Sequence, residues 1–110
     1  MERNLTHTAI FHEQYNQLLF IAMDTATGQL FSMWETEKKW RVKGYPLEER
    51  NAGNYTLNVV LHQEFQQYYF STLDKETGQL FRMWFSEDTW TPIGDSIYLS
   101  EVPELVRQNA

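Results

Sequence analysis

The chain has 110 residues, a formal net charge of −6 and a pI near 4.9. Its nine basic residues are scattered, with Lys38-Lys39-Trp40-Arg41 the one dense patch, so the clustered Lys and Arg that phosphate binding requires are lacking and nucleic acid is excluded as a partner. There are no cysteines, hence no disulfide scaffold, cysteine-ligated zinc or thiol nucleophile, and no apolar run approaches the ~20 residues of a membrane-spanning helix.

With 42% hydrophobic and 15% aromatic residues the chain can build a real core, and its length is that of one domain. Met1-Glu2-Arg3-Asn4-Leu5-Thr6-His7 lacks the basic and then apolar regions of a signal peptide, and a cytoplasmic location is expected.

Shifting the sequence by 50 positions without a gap gives 16 identities in 50. Asp24-Thr25-Ala26-Thr27-Gly28-Gln29-Leu30-Phe31-Ser32-Met33-Trp34 falls on Asp74-Lys75-Glu76-Thr77-Gly78-Gln79-Leu80-Phe81-Arg82-Met83-Trp84. The identities extend outward through Asn4/Asn54, His12/His62, Phe20/Phe70, Glu37/Glu87, Trp40/Trp90 and Gly44/Gly94. Two units, 1–50 and 51–100, are thus followed by a tail over 101–110, and a repeat of this period marks one supersecondary motif per unit.

In chain order, Thr8–His12 reads as a first strand and Leu18–Met23 as a second. Asp-x-x-Thr-Gly then reads as a hairpin turn. The Asp carboxylate accepts a following backbone N–H, and Gly supplies the positive φ that closes the loop. A third strand begins at Leu30, and Trp40-Arg41-Val42 reads as a short fourth before Gly44 ends the unit. Tyr45–Asn51 forms an irregular link. The second unit repeats the pattern with Asn58–His62, Tyr68–Leu73, a strand from Leu80, and Trp90-Thr91-Pro92-Ile93, where Pro92 demands an edge position. A helical turn over Val102–Gln108, entered through Pro103, completes the chain.

A four-residue loop over Thr25–Gly28 sets Asp24 opposite Gln29, Ala22 opposite Phe31 and Phe20 opposite Met33. One face then carries Phe20, Ala22, Phe31 and Met33, or Phe70, Thr72, Phe81 and Met83. The other carries Leu19, Ile21, Met23, Leu30, Ser32 and Trp34, or Tyr69, Ser71, Leu73, Leu80, Arg82 and Trp84. Polar residues enter mainly the second face, so the first is the expected core.

The fold expected is all-β: a tandem duplication of a 50-residue antiparallel meander, three to four strands each, forming one sandwich- or barrel-like domain. A meander of this size resembles a single β-propeller blade, and the Asp-x-x-Thr-Gly turn is similar to that of quinoprotein-type blades over about a dozen residues per copy. The tryptophan stands further from the glycine than in that pattern. Two units cannot close a propeller; three copies of the chain supply six, and a sandwich or barrel within one chain is the simpler arrangement.

The repeated polar residues carry little chemistry. His12 and His62 lie in no ligand-spaced motif, and surface or strand-end hydrogen bonding is the expected role, so no metal is assigned. Asp24 and Asp74 lack the carboxylate density of a calcium loop and are read as turn caps. Glu37 and Glu87 lie in polar loops and are read as solvated charge. No nucleophile, phosphate-loop or dinucleotide motif is present, so neither an enzyme nor a cofactor is expected.

The aromatic residues Trp34, Trp40, Trp84 and Trp90, with Tyr68 and Tyr69, are the candidate binding residues, weighed against a role as core lids. The second unit adds Tyr68, Tyr69, Phe85 and Tyr98 where the first has Leu18, Leu19, Glu35 and Glu48, which points to more interaction surface there. The leading expectation is a non-catalytic protein–protein interaction or assembly module, a homo-oligomer binding itself or another protein. The rival is a small-ligand or carbohydrate-binding module using the paired tryptophans.

Overall fold

The computed structural model describes residues 4–99, and both the tail and the helical turn expected over 102–108 lie outside them. Each repeat is a four-stranded antiparallel meander. The first comprises β1 (Leu5–His12), β2 (Gln17–Asp24), β3 (Gln29–Trp34) and β4 (Arg41–Lys43); the second comprises β5 (Asn58–His62), β6 (Gln67–Leu73), β7 (Leu80–Trp84) and β8 (Thr91–Ile93). In both sheets the strands stand side by side in sequence order. The all-β, duplicated, sandwich-like arrangement read from the sequence is therefore the observed one. Pro92 sits on β8, an edge strand paired among the described residues only with β7, where its missing donor costs nothing.

The repeated turn builds itself in the same way twice. Asp24 Oδ1 accepts the Ala26 N–H at 3.0 Å and Asp74 Oδ1 the Glu76 N–H at 2.9 Å. Gly28 and Gly78, at φ +80° and +73°, return their N–H groups to the carbonyls of Asp24 and Asp74. The next residue has a role that spacing alone did not assign. Gln29 donates from Nε2 to the carbonyls of Lys43 and Gly44, and Gln79 likewise to those of Ile93 and Gly94. This glutamine fastens the short fourth strand to the hairpin. The register follows the loop length: Asp24 opposes Gln29, Ala22 opposes Phe31 and Phe20 opposes Met33, with Phe70 and Met83 paired alike in the second sheet.

The two sheets share one core, yet they bury different faces. The second sheet buries Phe70, Thr72 and Met83 of the expected face, with Phe81 half-buried, together with Tyr68. The first sheet buries Leu19, Ile21, Met23 and Leu30, the face expected to be outside, while Phe20, Ala22, Phe31 and Met33 are only half-buried. The expectation of one common core face is corrected here for the first unit. The reason is geometric: the back of the first sheet lies on the front of the second, so equivalent faces never meet. The units are stacked in the same sense and are not related by a two-fold.

Candidate functional site

Three features follow from that stacking among the described residues: a seam inside the chain, a cleft at one end of it, and two uncovered sheet faces. The seam is anchored by the first hairpin turn. The carbonyls of Thr25, Ala26 and Gly28 accept the Tyr55 N–H at 2.9 Å, the Gly53 N–H at 2.8 Å and the Trp90 indole N–H at 3.2 Å. At the opposite corner Lys43, 8% exposed, donates from Nζ to the Glu87 carbonyl and stands 5.3 Å over the Phe85 ring. Asp88 completes this corner, with its carboxylate 3.7 Å from Lys43 and its carbonyl accepting the Tyr45 N–H at 2.8 Å. A buried ammonium that keeps a carbonyl, a carboxylate and an aromatic face is well compensated.

Each repeat also closes one end with an aromatic group. The His12 ring stacks on Tyr15 at 4.2 Å with Trp34 edge-on, and His62 stacks on Phe65 at 4.4 Å with Trp84 edge-on. In both, the histidine Nδ1 accepts a backbone N–H three residues on, at 3.3 Å. The loops pass through Asn16 and Gln66 at positive φ, 52° and 49°. Tyr15 and Phe65 belong to this group beyond the candidate aromatics, and the repeated His-x-x-aromatic spacing is their signal in the sequence. The histidines therefore serve as ring-stacking loop anchors, and among the described residues no group of three His, Cys, Asp or Glu could hold a metal ion.

The first of these groups faces the second sheet. Tyr68 lies 6.2 Å from Trp34 and 5.7 Å from His12, and Phe85 packs behind it at 5.9 Å. Together they wall a cleft of about 480 Å³, with Gln17, Glu37 and Gln67 on its rim. The Tyr68 hydroxyl is buried there without a hydrogen-bond partner among the described residues. Burial, with Tyr15 adding to it, pushes its pKa up to about 12; burial and then the charges of Glu48 and Asp74 do the same to Tyr55.

The sign of the resulting pH dependence is fixed. Both phenols lie above their ordinary 10.0, so the folded chain retains protons that the unfolded chain releases. Their contribution is whole below pH 10 and is lost as pH rises through about 12. Tyr68→Phe should leave neutral-pH stability unchanged or raise it by about 1 kcal/mol, because no hydrogen bond is lost. It should also flatten the alkaline fall, as chemical denaturation across that pH range would show.

The candidate aromatics thus divide. Trp34 and Tyr68 meet in the cleft; Tyr69 and Trp84 meet at 4.6 Å on the other side of the second sheet. Trp90 is spent on the seam, and its counterpart Trp40 is 45% exposed on the outer side of the first. Tyr68 and Phe85, read as outward surface of the second unit, face inward. Glu37 pairs with Arg41 at 2.8 Å, and Glu87 caps the Trp84 N–H at 2.9 Å, so both carboxylates are loop-structuring groups.

The uncovered faces are best seen by comparing equivalent positions. Leu30 is fully buried and Leu80 is 39% exposed; Tyr55 is 6% exposed and Leu5 60%. Phe11, Val42 and Trp40 extend the open face of the first sheet, and Val60 and Ile93 that of the second. No helix among the described residues is long and apolar enough to cross a membrane. Comparison with protein-family models, with curated proteins and with solved structures yields no match.

Proposed function

We propose that this chain is a non-catalytic protein–protein interaction module that assembles with itself through the sheet faces its own fold leaves open. One observation carries the reading: apolar side chains that are buried in one repeat are exposed at the same position in the other, as with Leu30 and Leu80. An apolar sheet face costs free energy in water and is offset by a partner. Sedimentation should give a mass above the 13.2 kDa of one chain at tens of micromolar. A clean monomer there sinks the reading.

The cleft supports a second reading, a small-ligand or carbohydrate site. Its volume of about 480 Å³ suits a small ligand, and aromatic walls with an amide and carboxylate rim suit a polyhydroxylated ring. Titration of a glycan panel against tryptophan fluorescence tests it, with Trp34→Phe as the control; an unchanged spectrum throughout argues against a sugar.

A further inference from the structure

The internal seam joins unlike faces. The face bearing Leu19, Ile21, Met23 and Leu30 lies on the face bearing Phe70, Thr72 and Met83. Each of these faces exists a second time, uncovered among the described residues: the first as Tyr69, Ser71, Leu73 and Leu80 on the second sheet, with Ser71 in the place of Ile21, the second as Phe20, Ala22 and Met33 on the first. We propose that a second copy of this chain docks head to tail on the first, repeating the internal seam in trans, and that successive copies close into a ring. The inference rests on the interaction reading above and names its partner and geometry.

The turn and its receptor show the fit. Inside the chain, the 24–28 turn is seated against the second sheet, Ala26 is 5% exposed, and three of the turn's carbonyls are bonded across the seam. The 74–78 turn repeats the aspartate-oxygen and glycine N–H bonds, and Lys75, Glu76 and Thr77 stand exposed while Gly78 is packed under Ile97 and Tyr98. Its receptor is also in place. The outer face of the first sheet holds a hollow of about 460 Å³ lined by Leu5, His7, Ala22, Phe31 and Trp40. Leu5 and Trp40 occupy there the positions that Tyr55 and Trp90 hold around the seated turn. In trans, Trp40 donates its indole N–H to the Gly78 carbonyl of the neighbour, which accepts one bond from the Ile97 amide and keeps a second lone pair.

Two substitutions between the repeats suit this contact. Arg82, 4.0 Å from Glu87 of its own sheet, stands where the internal seam has Ser32, and Glu35 where it has Phe85, so the seam between copies carries opposite charges where the internal one has a hydroxyl and a ring. The Lys43 corner is not repeated, since its counterparts are Ile93, Glu37 and Lys38. The seam between copies therefore rests on the turn and the apolar rows. A head-to-tail contact leaves one open face at each end of every complex, so it either closes or grows without limit. Sheets stacked about an axis close at about four to eight, which is two to four chains.

Complementation between two blocked variants tests this. Ala22→Arg fills the hollow on one open face, and Leu80→Arg places a charge on the other. The wild-type chain should sediment as a fixed small multiple of 13.2 kDa. Each variant, with an unchanged far-ultraviolet circular dichroism spectrum, should be monomeric and at least tenfold weaker in self-association. Mixed in equal amounts they should form a dimer, because each retains one intact face. Trp40→Ala replaces Ala22→Arg if the latter fails to fold. An oligomer that both variants leave intact overturns the head-to-tail contact while sparing the interaction reading. So does a folded pair of monomers that stays apart on mixing. A wild-type polymer of no fixed mass overturns ring closure, and a wild-type monomer removes both proposals.

Discussion

Phe70→Ala should destabilise the chain by about 3–5 kcal/mol, while Phe20→Ala, the same change at the equivalent position, should cost about 1 kcal/mol or less. Both phenylalanines sit on a central strand opposite a methionine, Met83 and Met33, in the same register. Local propensity and cross-strand pairing are therefore matched, and only the surroundings differ. Phe70 is fully buried in the shared core beside Tyr68 and Phe85. Its removal leaves a cavity that the two sheets cannot close without sliding against each other. Phe20 lies half-buried on an open face, where water replaces the lost ring. Urea denaturation at low protein concentration measures both. Equal losses would mean that the first sheet buries both faces.

A second matched pair isolates the seam. Gly44 and Gly94 end their units at φ +70° and +66°, so alanine carries the same left-handed cost of about 1–2 kcal/mol at either position. Around Gly94 an added Cβ meets nothing within 4 Å among the described residues. At Gly44 it would lie 2.7 Å from the Asp88 carbonyl oxygen and 3.2 Å from the Met83 sulfur. That oxygen is backbone, and it already accepts the Tyr45 N–H across the seam. Relief requires the Lys43 corner to open, adding about 1–3 kcal/mol as overpacking does. Gly44→Ala should therefore lower the urea midpoint well beyond Gly94→Ala. Equal midpoints would show that the corner contributes nothing.

The strands, turns and register were legible in the sequence because each depends on neighbours a few residues away. Asp24, Thr27 and Gly28 encode the turn, the turn length encodes the pairing, and the second copy repeats the signal. The choice of core face was not legible, and the repeat itself concealed it. The polar entries on the second face belong mostly to one unit: Ser71 and Arg82 stand where the first has Ile21 and Ser32. Pooling the two copies made that face look exterior in both. Read separately, both faces of the first unit are apolar, Phe20, Ala22, Phe31 and Met33 on one and Leu19, Ile21, Met23 and Leu30 on the other. Alternation alone does not choose between them, and the stacking of the second sheet decides. The tryptophans were misgrouped for a related reason. Identity between copies marks a shared local role, whereas Trp40 and Trp90 differ in what the stacking places against them.

The order of strands in each sheet also bears on how quickly the chain finds its structure. Every ladder joins sequence neighbours across a loop of four to six residues, so none waits for the closure of a long segment. The distant encounters, those spanning about one repeat, are reserved for laying one finished sheet on the other. Such a division keeps the average sequence separation of contacts low for an all-β protein, a class that ordinarily folds slowly because its pairings are remote. Each meander alone has an apolar face and no partner, and three or more strands with such a face are the least that persists in water. Docking is thus the step at which two marginal sheets become one cooperative structure.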